Sequence, residues 1–567
     1  MNDSKNMVLA VVLSALVLIG WSWLAEKYFP TATPQTTKIE EGKQQPLPQP
    51  QAQPAGVPTP AKLRTLAEAL TSDPRVVIRT PSLEGSINLK GAQIDDLLLV
   101  GQKQSLARDA RPVRLLSPIG TPGSYIAQFG WTAAGGDAPT LDTLWTADRR
   151  ELTPGQPVTL STSMPDGTGY QLKVSVDDGY LFSIQQSVLN ASDKPIVVRP
   201  IGLVSRGAKS PDPDMWTVHV GPITVFEGKA DYGVDYDTLD TGSRSFNNVS
   251  GWLGFTDHFW LTALVPSGPM SADFRRSPSG GYQADYALAP AAVEPGQTLT
   301  TRTRLFAGAK EKQWLDRYED AGMPKLSKSI DWGWFEWFMR PIFYLLLWLF
   351  EHIGNFGVAI ICLTFIVRTL LFPIAQKQFQ SMAAMRKLQP KMKAIQERFK
   401  DDKQRQQQEI LKLYQAEKVN PAAGCLPILL QIPIFYALYK VLMVSVEMRH
   451  QPFVLWIKDL SAPDPLTPVN LFGLLNFTPP AFLAIGVLPI LVGATQWLSM
   501  KLNPQPMDPT QAQIFAIMPW VLVFVMAPFA AGLQLYWLTN NILTIAQQWW
   551  LYRRYGLHLS DTHPVQT

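Results

Sequence analysis

Cysteine and charge are both scarce in this chain of 567 residues. The two cysteines, Cys362 and Cys425, lie in apolar segments, which excludes a disulfide framework and leaves the redox compartment open. Charged residues make up 17% of the chain, and a net charge of +4 is too small to indicate a nucleic-acid partner. Hydrophobic residues at 46% and 18 Trp instead fit a membrane protein with a soluble part.

Motifs for nucleotide binding and catalysis are also missing. The chain has no phosphate-binding loop with a Lys-Ser/Thr ending. The Asp257-His258 pair could seed a catalytic site, but neither a nucleophile nor a metal-ligand spacing accompanies it or His219. We therefore expect ordinary structural or surface roles for these residues, and we predict no catalytic residue, no metal and no cofactor.

The first apolar run, residues 7–24, is long enough for one membrane crossing. Interfacial aromatic residues after it, and the lack of a clear small-x-small cleavage site, favour a retained anchor over a cleaved signal peptide. We assign residues 1–29 to this N-terminal transmembrane anchor. The Pro- and Gln-rich residues 30–60 predict an extended linker.

No apolar run between residues 61 and 325 is long enough to cross a bilayer. Polar and apolar residues alternate there instead, as in residues 171–176 and 180–184, with turn signals such as Asp177-Asp178-Gly179 between them. This pattern predicts a soluble all-β domain built as a sandwich of antiparallel strands.

From residue 326 onward the chain resembles a membrane protein in composition. The aromatic residues of 326–353 predict an amphipathic helix at the membrane interface, ending in a turn at Gly354-Asn355. Within the core, residues 354–556, apolar spans follow at about 356–373, 424–446, 480–500, 514–531 and 533–551, the last two separated by Pro528 and Gly532. With the anchor, this predicts six transmembrane helices and a tail of residues 557–567.

Charge is concentrated in the connection of residues 376–420, which has eleven Lys and Arg against five Asp and Glu, a net charge of +6. By the positive-inside rule this connection is cytoplasmic, which places both termini in the cytoplasm and residues of about 30–330 on the opposite side. Apolar residues at helical spacing before and after Asp401-Asp402 predict a helical hairpin. Its side chains could dock a ribosome, an RNA or a nascent chain, or could form only a solvated surface that sets topology. They include Met382, Met385, Arg386 and Lys387.

Arg368 is the most informative single residue, because it lies inside the apolar helix of residues 360–373. A guanidinium does not lose its charge in a protein, and placing one at the bilayer centre costs at least ~2.5–3.5 kcal/mol. It should therefore face water, a partner or a substrate. The alternative is that Arg368, close to Pro373, snorkels to the cytoplasmic interface and has no further role.

Other polar residues in apolar spans could accompany Arg368. Thr364 lies one helical turn earlier on the same face, and Gln431 interrupts another span. The last span carries a polar stripe made of Tyr536, Asn540, Thr544 and Gln547. These groups could converge on a hydrated cavity, or their interhelical hydrogen bonds could be packing contacts of ~0.6 kcal/mol each.

Seven ordered motifs carry a resemblance to a known family. They are residues 364–373, 382–391, 402–405, 414–421, 424–435, 453–461 and 535–541. Together they closely resemble the YidC family of membrane protein insertases over the whole membrane core. The anchor and large β domain are similar to the Gram-negative form, although the tail after Arg554 lacks the basic run that some members carry.

The resemblance implies a five-helix core around a hydrophilic, positively charged groove, and a periplasmic β-supersandwich. In the family, the positions of Arg368, Thr364, Gln431 and Tyr536 line the groove, and Trp537 stands where relatives often have Tyr. With Asn540 of the polar stripe, these six residues form the predicted substrate groove. The implied location is the bacterial inner membrane. The implied partners are nascent and newly made membrane proteins, the Sec translocon, the ribosome and signal recognition pathway, and the bilayer.

Two other classes of function remain open. A membrane transporter would need internal repeats and a pathway reaching both sides of the membrane, and neither is visible in the sequence. A carbohydrate-binding or carbohydrate-active β domain on a membrane anchor would need paired carboxylates in a cleft. An insertase needs no nucleotide, because burial of a substrate's apolar helix in lipid supplies the driving force at ~25 cal/mol per Å².

Overall fold

The computed structural model describes residues 63–134, 137–212, 218–277, 280–333, 335–400, 402–417, 426–472, 474–475, 484–502 and 509–554. Within these ranges, twenty β-strands lie before residue 310, and most of the ten α-helices follow them. The predicted anchor, linker and tail, residues 1–29, 30–60 and 557–567, lie outside the described residues, so the anchor is not observed.

The strands form two sheets, defined by the following bounds. They are β1 Arg75–Arg79, β2 Leu83–Asn88, β3 Gln93–Lys103, β4 Pro112–Leu116, β5 Tyr125–Ala134, β6 Thr146–Ala147, β7 Glu151–Leu152, β8 Val158–Ser163, β9 Gly169–Val176, β10 Leu181–Leu189, β11 Ile196–Arg206, β12 Gly221–Phe226, β13 Lys229–Asp231, β14 Arg244–Val249, β15 Gly251–Thr256, β16 Trp260–Pro266, β17 Met270–Arg276, β18 Tyr282–Leu288, β19 Ala291–Val293 and β20 Thr298–Ala309. The first sheet runs β14-β17-β18-β11-β5-β3-β2-β1-β7, with β19 on β11 and β4 on β3. The second runs β13-β12-β15-β16-β20-β10-β9-β8-β6.

The two sheets pack face to face around a continuous core. Trp131 of β5 in the first sheet lies against Tyr170 of β9 in the second, with ring centroids 5.0 Å apart. Gln186 of β10 is fully buried, and its Nε2 donates to the Gly130 carbonyl of the opposite sheet at 2.8 Å. A buried amide needs such a partner, so Gln186 fixes how one sheet sits on the other. The predicted alternation is present in β9, whose side chains are buried at every second residue.

Asp257, of the Asp257-His258 pair, has a structural partner within the β domain. Asp257 accepts a 2.7 Å hydrogen bond from Arg206, and both side chains are buried. The Arg206 guanidinium also lies over the Tyr125 ring, 4.6 Å from its centroid. His219 contacts the Pro222 carbonyl at 2.7 Å. Asp257 thus serves as the partner of a buried arginine.

The helices have the following bounds. They are α1 Leu66–Thr71, α2 Tyr236–Thr241, α3 Lys312–Asp320, α4 Glu336–Ile353, α5 Phe356–Arg398, α6 Lys403–Ala416, α7 Leu426–Val444, α8 Val487–Leu502, α9 Pro509–Met526 and α10 Ala531–Arg554. Short 3-10 turns occupy Leu326–Ser329, Val446–Met448 and Pro468–Asn470.

Helix α4 occupies part of the predicted interfacial segment and ends at the predicted turn. Gly354 adopts a φ of 77°, which suits glycine at a helix C-terminus, and its N–H donates to the Phe350 carbonyl at 2.7 Å. The Asn355 side chain then accepts a 3.1 Å hydrogen bond from the Val358 N–H and caps α5. Phe350 stacks on Phe356 across the corner, with centroids 3.7 Å apart.

Helix α5 does not stop at Pro373 but continues to Arg398, through Pro373 and Pro390. A proline inside a helix costs ~3 kcal/mol, and packing beyond it has to offset that cost. Phe379 is buried and meets the Tyr552 ring of α10, with centroids 5.0 Å apart. The first helix of the predicted hairpin is therefore a direct extension of the helix that carries Arg368. Helix α6 folds back on it, with Gln406 donating to the Gln396 carbonyl at 3.0 Å.

Among the described residues, one helix is long and apolar enough, by length and composition, to cross a membrane: Phe356–Ser381. Shorter apolar helices are Gln431–Val444, Val487–Leu502 and Gln513–Met526. The break between α9 and α10 falls at residues 527–530, which includes Pro528 as predicted. The predicted count of six spans is not established by these helices and stays a prediction.

The β domain and the helices meet at a contact that we call the domain seam, formed by Lys440, Glu447, Arg449, Lys312 and Asp331. Lys440 of α7 is 1% exposed and lies 3.6 Å from Asp331, in the segment before α4. Glu447 accepts a 2.8 Å hydrogen bond from the Lys312 N–H at the start of α3, and burial raises the pKa of Glu447. Arg449 donates to the Lys103 carbonyl of β3 at 2.7 Å. The seam therefore joins helix α7 and the turn after it to α3, to Asp331 and to β3 through polar contacts.

Candidate functional site

Arg368 lies on the face of α5 that meets α10. Its Nε donates to Asn540 Oδ1 at 2.7 Å, and one Nη donates to the Asn540 carbonyl at 3.3 Å and to Thr544 Oγ1. All of these acceptors are neutral. Within the described part of the chain, no carboxylate pairs with Arg368. The guanidinium is thus held in place by hydrogen bonds, while its positive charge has no protein counter-ion among these residues.

Asn540 and Thr544 lie one helical turn apart on α10, as the spacing of the polar stripe predicts. The Thr544 hydroxyl donates to the Asn540 carbonyl at 2.7 Å, which leaves its oxygen free to accept from Arg368. Thr544 belongs to the stripe but is not among the six predicted groove residues. The i+4 spacing of Thr544 from Asn540 is the sequence signal by which Thr544 could have been included among the predicted groove residues.

Gln431 and Tyr536 connect α7 to α10. The Gln431 Nε2 donates to the Tyr536 hydroxyl, and Tyr536 is 1% exposed. Trp537 lies beside it and packs edge-on against Phe435 of α7, with centroids 4.8 Å apart. Because Tyr536 and Asn540 are one turn apart on α10, the contacts of Gln431 and of Arg368 lie on adjacent turns of the same helix.

Thr364 shares the α5 face of Arg368, but its hydroxyl donates to the Ile360 carbonyl of its own helix at 2.7 Å. It is 1% exposed, and Asn540 is 9% exposed. Arg368 and Gln431 are only half-buried. The structure therefore places the six predicted residues on α5, α7 and α10, where side-chain contacts link Arg368 to Asn540, Gln431 to Tyr536, and Trp537 to Phe435, and Arg368 and Gln431 are the more accessible of the polar groups.

Other polar residues of the apolar helices have different partners. Asn541 donates to Thr495 Oγ1 of α8 at 3.1 Å, and Gln534 donates to the carbonyls of Met526 and Phe529 at 2.9 and 2.8 Å. These bonds hold α10 against α8 and close the turn after α9. The hairpin residues Met382, Met385, Arg386 and Lys387 lie within α5, and their side chains are outside the described set.

Comparison with known proteins places this arrangement in a family. The family model described as YidC periplasmic domain matches residues 75–345, and the one described as 60Kd inner membrane protein matches residues 348–557. A membrane protein insertase YidC of Zymomonas mobilis subsp. mobilis is 46% identical over 562 residues, which cover 98% of this chain and 96% of that protein. The chain belongs to the YidC family. The YidC of Beijerinckia indica subsp. indica is 42% identical over 590 residues, with the same coverage of 98% and 96%.

A solved structure described as an active YidC insertase, with its first transmembrane domain resolved, is 20% identical to this chain. It covers 84% of this chain and 95% of its own, with a TM-score of 0.35.

Membership of the YidC family confirms the predicted family and function class. The chain is a membrane protein insertase of the inner membrane, with a periplasmic all-β domain and a helical C-terminal region, and it is not an enzyme. The transporter and carbohydrate-active alternatives are therefore set aside.

Proposed function

We propose that this insertase works through a substrate groove between α5, α7 and α10, formed by Arg368, Thr364, Gln431, Tyr536, Trp537 and Asn540. The observation that carries the proposal is the charge of Arg368. It lies in an apolar helix, its acceptors are neutral, and none of the described carboxylates pairs with it. A cation in this setting attracts an anionic group, and the acidic segment of an incoming membrane protein supplies one.

Insertion follows from the solvation of the substrate. When a short polar or acidic segment enters the groove, its contacts with bulk water are replaced by contacts with water in the groove, with Arg368 and with the amide of Gln431. The cost of moving it towards the far side of the membrane then falls, because lipid alone offers no hydrogen-bond partner. The adjoining apolar helix of the substrate partitions into lipid beside the groove at ~25 cal/mol per Å² of buried apolar surface. No nucleotide takes part in this sequence.

The finer topology is part of the proposal. Six transmembrane helices place both termini and the 376–420 hairpin in the cytoplasm, and residues of about 30–330 in the periplasm. The net charge of +6 in the hairpin supports this orientation. The proposed boundaries are those given above: anchor 1–29, linker 30–60, β domain 61–325, interfacial helix 326–353, core 354–556 and tail 557–567.

The proposed partners are nascent and newly made membrane proteins, with the Sec translocon and the ribosome alongside. The basic hairpin faces the cytoplasm in this topology, where a ribosome delivers its chain. Met382, Met385, Arg386 and Lys387 are the proposed hairpin contacts, because flexible Met and basic side chains suit varied apolar and anionic partners.

Site-specific crosslinking tests the groove. Photo-crosslinkers at Arg368, Gln431 and Trp537 should capture a stalled transmembrane segment, and the matched position Leu370, 73% exposed on another face of α5, should not. Equal capture at Leu370 would contradict the groove.

Thiol labelling from the cytoplasmic side gives an independent test. Cysteines at the half-buried positions 368 and 431 should react faster with a water-soluble reagent than cysteines at Thr364 and Tyr536, which are each 1% exposed. Reactivity only from the periplasm would contradict a groove that is open to the cytoplasm.

A further inference from the structure

Three cationic side chains each pair with a tryptophan at the C-terminal ends of α8 and α10. Lys501 lies over the Trp497 ring, with 3.9 Å from Nζ to the centroid. Arg553 lies over Trp549 at 3.9 Å, and Arg554 over Trp550 at 5.1 Å. Each pair is spaced i, i+4, so each cation covers an indole one turn below it on its own helix. We call these six residues the rim cluster.

The two helix ends that carry the rim cluster are in contact. The Tyr552 hydroxyl of α10 donates to the Leu502 carbonyl of α8 at 2.7 Å. Trp550 also meets Phe372 of α5, with ring centroids 5.8 Å apart. Three cations therefore lie around the junction of α8 and α10, beside the helix that carries Arg368.

The rim cluster is exposed and cationic. Trp497, Trp549 and Trp550 are each 41–43% exposed, and all three cations are exposed. None of the three cations pairs with a carboxylate in the parts of the chain that the structure describes. A π face contacts a cation without consuming its N–H donors, so these donors remain available to an anion.

The chemistry of the surface identifies its occupant. Indole rings at the end of a membrane helix lie at headgroup level, because the ring is apolar and its N–H is polar. A cation held over such a ring is placed at the depth of lipid phosphates, and Arg in particular binds phosphate oxygens through two parallel N–H donors. A macromolecule in the aqueous phase would use cations that extend into water, away from the indoles.

We propose that Lys501, Arg553 and Arg554, with Trp497, Trp549 and Trp550, bind the phosphate headgroup of an anionic phospholipid. The cytoplasmic leaflet is assigned from the orientation proposed above, whereas the binding itself depends neither on that orientation nor on the groove. A lipid held there fixes the ends of α8 and α10 at the membrane surface, and so fixes the depth of Tyr536 and Asn540 in the bilayer.

Lipid affinity of the purified full chain tests the proposal. In detergent, native mass spectrometry with added dioleoylphosphatidylglycerol should show a bound anionic lipid, with dioleoylphosphatidylcholine binding much more weakly. The triple variant Lys501→Gln, Arg553→Gln, Arg554→Gln should bind phosphatidylglycerol roughly 100-fold more weakly, from about fivefold per cation. The variant Lys501→Arg, Arg553→Lys, Arg554→Lys should keep most of the affinity, because it keeps the charge.

The matched control removes three exposed cations elsewhere. Lys391→Gln, Arg398→Gln, Lys412→Gln in the hairpin changes the net charge equally and should leave phosphatidylglycerol affinity unchanged. Tryptophan fluorescence and size-exclusion elution check that each variant is folded. If the rim triple variant does not fold, the phosphatidylglycerol affinities of the charge-keeping variant and of Trp549→Leu test the proposal instead.

Three results would overturn the proposal. Equal phosphatidylglycerol affinity of the wild type and the rim triple variant is one, and equal binding of phosphatidylcholine is another. The third is loss of ribosome co-sedimentation by the rim variant with lipid affinity intact, which would assign the cations to RNA phosphates. Insertion activity is not the readout, so failure here is distinct from failure of the groove.

Discussion

Arg368 shows how a single residue keeps its charge in an apolar helix. Two neutral residues of α10, Asn540 and Thr544, accept its N–H groups and set the direction of the guanidinium. A carboxylate in their place would neutralise the cation and compete with an acidic substrate. The neutral partners therefore position the charge without cancelling it.

Substitution of Arg368 separates charge from geometry. Arg368→Ala should impair insertion of single-span substrates with acidic translocated segments, whereas Arg368→Lys, which keeps the charge and loses the fork, should be milder. Insertion is measured by protease protection of the substrate, with immunoblots confirming equal abundance. A fully active alanine variant at normal abundance would refute the role of the charge. Substrates with neutral segments serve as the matched control and should be affected less.

Lys310 gives the β domain a predictable dependence on pH. It is 2% exposed and donates to the Asp257 carbonyl at 2.8 Å, and burial lowers its pKa to about 8. Between pH 8 and the unfolded pKa of about 10.4, the unfolded chain binds the extra proton, so the free energy of unfolding rises with pH. It should increase by on the order of 1–2 kcal/mol from pH 7.5 to 9.5 through this group.

Denaturation of the full chain in detergent at both pH values, followed by near-ultraviolet circular dichroism, measures this rise. The Lys310→Met variant should lose that part of the pH dependence. Identical slopes for the two proteins would show that Lys310 does not titrate in this range.

At the scale of elements, helix α7 connects the domain seam to the proposed groove. Gln431 near its start contacts Tyr536, and Lys440, nine residues later, lies beside Asp331. The intervening helix is about 13 Å long. The position of Gln431 is thus constrained by the seam as well as by its contact with Tyr536.

The Lys440 and Asp331 pair should stabilise this placement. Lys440→Met removes the cation beside Asp331, and Asp331→Asn removes the charge beside the buried Lys440, so each should cost ~3 kcal/mol of stability. A double-mutant cycle by thermal unfolding measures the coupling, and the double variant should be less destabilised than the sum of the singles. Additive losses would show that the two groups do not interact.

The sequence predicted local features better than contacts between distant residues. Alternation in residues 171–176, Gly354 at a turn and Pro528 at a break all act within a few positions, and the structure shows each of them. The passage of α5 through Pro373 depends on Phe379 meeting Tyr552, which no local pattern reveals. The Lys440 and Asp331 pair spans more than a hundred residues and was missed for the same reason.

At the scale of the whole molecule, the β domain and the core meet at the domain seam. The proposed groove residues lie on α5, α7 and α10, and none of them belongs to the β domain. The segment with Asp331 and helix α4 lies between the two parts, and Met339 and Phe343 of α4 are buried against the core.

Deletions should therefore have unequal effects. Removal of residues 61–325 should leave most insertion activity, whereas a deletion that continues to residue 350 should abolish it, because α4 and Asp331 are lost. Complementation of a depletion strain measures the insertion activity of both deletions. The shorter deletion removes Lys312, whose N–H donates to the Glu447 carboxylate, so Glu447→Gln in that deletion is the control for the carboxylate left without this donor. Loss of insertion on removing only the β domain would contradict this.

The continuity of α5 gives the molecule a lever. A helix of 43 residues is about 65 Å long, with Arg368 about 18 Å from its start at Phe356 and Arg398 at its far end. If the helix tilts as a rigid rod about a fulcrum at Gly354, its end at Arg398 moves roughly three to four times as far as Arg368. A binding partner that displaces this end by several ångströms would shift the guanidinium by one or two, enough to break a hydrogen bond to Asn540 and release the charge.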